Sequence, residues 1–284
     1  MIIFKTAKAI QAYLISCKQN GQNCGFVPTM GAIHEGHLTL IQRCRQEVAV
    51  VVASIFVNPT QFNNAADYEK YPITLEKDIF LLEQAGCSAL FLPTISEMYP
   101  KGIANLPQYN LGSMSTMLEG VHRPGHFQGV CQVVDRLLQI INPEVLVLGQ
   151  KDYQQCMIIN KLLELTNKKI DIVIAPTQRE ESGLAMSSRN LRLSDSQKTI
   201  ATHIYGNLAW LRNQWNTSSL LPHQMESIVT KQLLEVGFTS VDYISICDAI
   251  TLQPLVTNSR SVRAVALVAA TIGEVRLIDN LLLD

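Results

Sequence analysis

The chain has 284 residues, 47% hydrophobic and 17% charged, enough apolar material for one substantial core and a smaller second one without covalent staples. A formal net charge of −1, a pI near 6.6 and the lack of any Lys/Arg block argue against nucleic acid as a partner. Lys5 and Lys8 interrupt the first apolar residues, and the apolar run at 48–57 covers about half a bilayer crossing, so no signal peptide or membrane span is expected.

Taken in order, residues 25–27, 48–57, 87–92, 145–148 and 170–175 read as strands rich in Val and Ile. Between them, residues 37–47, 75–85, 130–140 and Tyr153–Leu165 carry helical periodicity. Strands without polar alternation are buried on both faces, the signature of a parallel sheet covered by helices. Residues 1–177 are therefore expected to form a doubly wound, Rossmann-type α/β domain. After Pro176 the texture changes. Ser194 and Gln197 form a capping-box pattern that opens a helix reaching to about residue 211, and Pro222–Glu235 reads as another helix, stopped at Gly237. Residues 241–247, 264–270 and 275–278 read as strands, the last two joined as a hairpin across Gly273. Residues 178–284 are expected to form a smaller α+β domain. The seven cysteines are scattered, odd in number and never spaced C-x-x-C, which fits reduced thiols in a cytoplasmic protein.

Chemistry concentrates in three segments. Val27-Pro28-Thr29-Met30-Gly31-Ala32-Ile33-His34-Glu35-Gly36-His37 ends a strand and opens a helix, where free N–H groups and partial positive charge attract phosphate. Either histidine alone reads as a helix cap; the complete H-x-G-H at a strand-to-helix turn favours donors aimed at phosphate oxygens. Gly149-Gln150-Lys151-Asp152-Tyr153-Gln154-Gln155 sits at a second strand end, with Lys151 suited to neutralising phosphate charge and Asp152 to a ribose hydroxyl or Mg²⁺. Arg179 through Asn190, containing Met186-Ser187-Ser188-Arg189, suits a loop that closes over a triphosphate. No G-x-x-x-x-G-K-[S/T] loop or G-x-G-x-x-G turn is present, so P-loop chemistry and ordinary dinucleotide binding lose weight.

Together with Asn58-Pro59-Thr60-Gln61-Phe62, Leu118-Glu119-Gly120 and Arg123-Pro124-Gly125-His126-Phe127, these segments resemble the pantoate–β-alanine ligases of the H-x-G-H nucleotidyltransferase superfamily over nearly the whole chain. The resemblance implies an AMP-forming ligase that joins pantoate to ATP as pantoyl adenylate and passes the acyl group to β-alanine. It places Met30, Gly31, Ala32, Ile33, His34, Glu35, Gly36, His37, Gly149, Gln150, Lys151, Asp152, Gln178, Met186, Ser187, Ser188 and Arg189 on ATP. His37 is then a proton donor, and His34, Lys151, Ser187, Ser188 and Arg189 serve electrostatic catalysis. Gln61 and Gln155 would hold pantoate, with Gln61 also near β-alanine. Mg²⁺ is expected with the triphosphate, with Asp78 as a ligand outside its immediate shell, and a homodimer is what the resemblance suggests. Gln150, Ile73, Ser182 and Gln178 depart from the usual family residues. The competing readings are another H-x-G-H nucleotidyltransferase and a non-catalytic nucleotide sensor.

Overall fold

Residues 2–4 form a strand that pairs with residues 89–91, and from this edge a six-stranded parallel sheet is built in the order β1-β4-β3-β2-β5-β6. A computed structural model describes residues 1–62, 68–69, 71–259 and 261–284. The strands are β1 (Ile2–Phe4), β2 (Cys24–Thr29), β3 (Val50–Ile55), β4 (Ala89–Phe91), β5 (Val145–Gly149) and β6 (Asp171–Ala175). The helices of this part are α1 (Ala7–Gln19), α2 (Glu35–Glu47), α3 (Leu75–Gln84), α4 (Ile95–Met98), α5 (Glu119–His122), α6 (His126–Ile141) and α7 (Tyr153–Leu165).

β3 shows why the sheet is covered on both sides. Val50 and Val52 enter one core with Phe26, Phe91, Leu138 and Ile159, while Val51 and Ala53 enter another with Ile41, Leu82 and Leu90. Alternate residues of a strand point to opposite faces, so a continuous apolar run is the sequence that two helical layers require. β1 and α1 were not among the expected elements. A three-residue edge strand with Ile2 and Ile3 half exposed carries little pattern, whereas α1 buries Ile10, Leu14 and Cys17 at helical spacing behind a Thr6 cap.

Strand order reverses at β2. β3 and β4 continue to one side, β5 and β6 to the other, with Gly25 opposite Val145. In open parallel sheets the carboxyl ends beside such a switch point are where ligands bind. The loops after β2 and β5 are the two that carry H-x-G-H and K-D-Y-Q-Q.

The chain divides into two compact units, residues 1–149 with 155–176, and residues 150–154 with 177–284. The short segment Gln150–Gln154 groups with the second unit, although in sequence it lies far inside the first. The second unit contains α8 (Asp195–Ala201), α9 (His203–Thr217), α10 (Pro222–Glu235) and an antiparallel sheet of β7 (Ser240–Asp248), β8 (Ala264–Ile272) and β9 (Val275–Leu282) in the order β7-β8-β9. Its core joins Leu208, Leu211, Trp215, Met225, Val229 and Leu233 to Ile246, Ala266, Val268 and Leu277. The Ser194 capping box forms with both bonds, Gln197 N to Ser194 Oγ at 3.3 Å and Ser194 N to Gln197 Oε1 at 3.0 Å. The helix it opens ends at Ala201, short of residue 211. Thr202 tightens the turn by donating its hydroxyl to the Thr199 carbonyl, and α9 restarts at His203. Gly237, at φ +112°, stops α10, and Gly273, at φ +58°, turns β8 into β9.

Candidate active site

The loop after β2 is held from three directions. Thr29 Oγ1 donates to the Ser54 carbonyl at 2.7 Å and accepts from Gly31 N at 3.2 Å. Gly31 then takes φ +85° and Ala32 φ +50°, which aims successive amides at the carboxylate of Asp78. Asp78 Oδ2 accepts from Ala32 N at 2.9 Å, and Oδ1 accepts from Ile33 N at 2.8 Å and Thr74 Oγ1 at 2.9 Å. The carboxylate is 1% exposed and committed to three donors, so its visible task is to anchor this loop. A Cβ on Gly31 would lie 3.0 Å from Asp78 Oδ2.

α2 begins with a capping box built from imidazoles. Gly36 N donates to His34 Nδ1 at 3.1 Å, and His34 N donates to His37 Nδ1 at 3.3 Å. The rings stand 4.1 Å apart between centroids. With Nδ1 accepting in both rings, the neutral tautomer carries its proton on Nε2, so each imidazole is set as an Nε2–H donor beside a helix start. One nitrogen of each ring thus serves the start of the helix.

A second cluster of the same unit surrounds Gln61, which is 8% exposed. Asn58, fully buried, donates from Nδ2 to Gln61 Oε1 at 3.3 Å and to the Gly129 carbonyl at 3.1 Å, while its Oδ1 accepts from Tyr99 OH at 2.9 Å. His126 Nδ1 lies 2.8 Å from the Gln61 carbonyl. Gly129 permits this packing, because a Cβ there would collide with the Thr60 carbonyl. Gln61 Nε2 faces Met30 Sδ at 3.0 Å, a weak acceptor that a carboxylate oxygen or hydroxyl would readily replace. Gln155, half-buried on the first turns of α7, makes no side-chain hydrogen bond among the described residues.

In the second unit, Lys151, Ser187 and Arg189 line one cleft with Tyr205, Arg276 and Asp279. Ser187 caps the 3₁₀ turn Ser188–Arg192, accepting from Arg189 N at 3.2 Å. Asn190 ties that turn back through Nδ2 to Ala185 O and Glu180 Oε1, both at 3.0 Å. Met186 N donates to the Gln178 carbonyl at 2.9 Å, so position 178 is held through its main chain and its side chain is exposed. Gln150, one of the departures from the family pattern, donates Nε2 to Asn280 Oδ1 at 3.2 Å. Ser182 Oγ accepts from Leu184 N at 3.4 Å, and Ile73 is 85% exposed.

Each unit therefore brings together its own share of the expected residues: His34, His37, Gln61 and the Met30–Ile33 loop in the first, Lys151, Ser187, Ser188 and Arg189 in the second. Asn58, Asp279 and Asn280 were not assigned roles from sequence. The available signal was a polar pair, Asp279-Asn280, inside the otherwise apolar end of β9. Among the described residues no three His, Cys, Asp or Glu side chains converge as a metal cage, and Asp78 accepts three hydrogen bonds from the protein.

A doubly wound parallel sheet with an H-x-G-H helix start beside its switch point defines a nucleotide-binding protein of the H-x-G-H nucleotidyltransferase class. The sequence matches the model of the pantoate-beta-alanine ligase family over residues 2–282, and the chain belongs to that family. It is 41% identical over 283 residues to a pantothenate synthetase of Cytophaga hutchinsonii and 40% identical over 281 residues to one of Porphyromonas gingivalis, with 99% or more of each chain covered. Among solved structures, pantothenate synthetase from Thermus thermophilus is similar with a TM-score of 0.91 at 39% identity, covering 100% of this chain and 99% of its own. The pantoate-beta-alanine ligase of Francisella tularensis, complexed with beta-gamma ATP and beta-alanine, has a TM-score of 0.81 at 39% identity, covering 100% and 98%.

Proposed function

We propose that this chain condenses pantoate with β-alanine at the expense of ATP, through pantoyl adenylate, releasing pyrophosphate and AMP. The observation that supports the reading is the H-x-G-H segment at the start of α2, beside the switch point of the parallel sheet, where its two imidazoles stand 4.1 Å apart. As the pantoate carboxylate attacks the α-phosphorus, charge builds on the phosphate oxygens. His34, His37, Lys151, Ser187, Ser188 and Arg189 are the hydrogen-bond donors assigned to it, and they act by stabilising that charge. The Met30–His37 loop, Gly149–Asp152, the Gln178 main chain and Met186 complete the ATP contacts. Mg²⁺, carried in on ATP, would supply charge neutralisation.

Gln61 and Gln155 are assigned to pantoate, and Gln61 also to β-alanine. An amide can donate to a carboxylate and accept from a hydroxyl without adding a charge, and the bond from Asn58 Nδ2 that orients Gln61 Oε1 supports the assignment. A phosphate acceptor would favour cationic residues at these positions, which weighs against another nucleotidyltransferase. The adenylate has to be kept from water, and the second unit, with its Ser187–Arg189 loop, is assigned that part. The reading extends to a cytoplasmic homodimer, to be checked by light scattering on the purified chain. Among the described residues no helix is long and apolar enough to cross a membrane.

The test is pyrophosphate exchange into ATP, with and without pantoate. Pantoate-dependent exchange is expected, with a loss in His37→Ala of about 10²–10³, or about 3–4 kcal/mol of transition-state stabilisation. Exchange indifferent to pantoate would sink the ligase reading, and ATP binding without exchange would favour the sensor.

A further inference from the structure

Within the second unit the two segments assigned to the ATP phosphates, the Lys151 turn and the Ser187–Arg189 loop, are distant in sequence, yet both are tied to consecutive residues of β9. Asn280, 1% exposed, donates Nδ2 to the carbonyls of Gln150 and Lys151, each at 2.9 Å, and accepts from Gln150 Nε2 at 3.2 Å. Asp279, 4% exposed, receives Arg179 in a fork, Nη1 to Oδ2 at 2.6 Å and Nη2 to Oδ1 at 3.0 Å. The same guanidinium donates to the Gly183 carbonyl at 3.2 Å and lies 3.9 Å above the Tyr205 ring, closing the turn from which Met186–Arg189 emerges. Adjacent residues of a strand face opposite ways, so one dipeptide can grip two segments.

We propose that Asp279 and Asn280 are positioning residues, a single clamp that sets Lys151 and the Ser187–Arg189 loop for the nucleotide phosphates. The residue types fit no simpler task. A buried ion pair is a poor source of stability, since apolar packing of the same volume often does as well, but a forked pair fixes the direction of the chain that carries it. At position 280 only an amide can donate to two carbonyls and accept from a third group at once. Asn280→Asp is nearly isosteric and turns an oxygen against both carbonyls. Arg179→Lys keeps the charge opposite Asp279 and removes the fork.

The inference rests on the ligase reading, and calorimetric titration of the full chain with ATP separates the two. ATP affinity is expected to fall about tenfold in Asn280→Asp and by a smaller factor in Arg179→Lys, with the KM for β-alanine within about twofold of the parent. Unchanged ATP affinity in the folded variants overturns the clamp, as does an equal loss toward every substrate. If Asn280→Asp does not fold, Arg179→Lys decides alone, and parental ATP affinity there overturns it. A parent that binds ATP but forms no pantothenate defeats the ligase reading and leaves the ATP titration to judge the clamp.

Discussion

Gly31 shows how much a single position decides. Its φ of +85° lets Ala32 and Ile33 present their amides to Asp78, and a side chain would meet both an unfavourable backbone region and the Asp78 carboxylate. Gly31→Ala should lower stability by about 1–3 kcal/mol in urea denaturation and displace the loop that leads into His34. The H-x-G-H motif itself is legible in sequence because its members are neighbours and their bonds are local. Asp78 is legible only as a carboxylate: nothing along the chain says that its oxygens are used 46 residues away.

At the scale of elements, α6 and the Pro59–Gln61 turn approach so closely that Gly129 has no room for a methyl group. Gly129→Ala is expected to cost about 1–3 kcal/mol, or more if the backbone resists, and to raise the KM for pantoate because Gln61 moves with its turn. Thermal unfolding and steady-state kinetics read the two effects separately. A second contact joins α10 to β7, where half-buried Glu226 accepts from Ile246 N at 2.7 Å. Burial raises its pKa above the ordinary carboxylate value, and the Ile246 amide opposes the rise. The folded state therefore holds this proton more tightly than the unfolded chain, and stability from this group is lost as pH rises through the folded pKa. Glu226→Gln keeps an acceptor without the charge, so it should be the more stable form at neutral pH, with the advantage vanishing below the carboxylate range. A flat difference across that pH series would refute the assignment.

For the whole molecule, all seven cysteines are free and buried. Burial pushes the thiols of Cys87 and Cys247 up to about 11 and those of Cys44 and Cys131 up to about 12. Thiolate is the reactive form, so the folded protein should be nearly inert to Ellman's reagent at mildly alkaline pH, whereas concentrated guanidinium chloride should release seven thiols. Fast labelling of the native chain would show that one of the two units opens readily.

The amino-acid sequence by itself determined the doubly wound class, the small α+β unit, the strand-end position of the H-x-G-H and K-D-Y-Q-Q segments and the family. Each of these is written in local periodicity, capping chemistry or contiguous motifs. It did not reveal β1 and α1, the break at Thr202 or the grouping of Gln150–Gln154 with the second unit. Nor did it reveal what Asp78, Asn58, Asp279 and Asn280 do. Their partners lie far along the chain, and a buried polar group takes its meaning from whichever donors and acceptors the fold brings to it. That information exists only once the backbone has been folded, because hydrogen bonding is set by distance in space and not by separation in sequence.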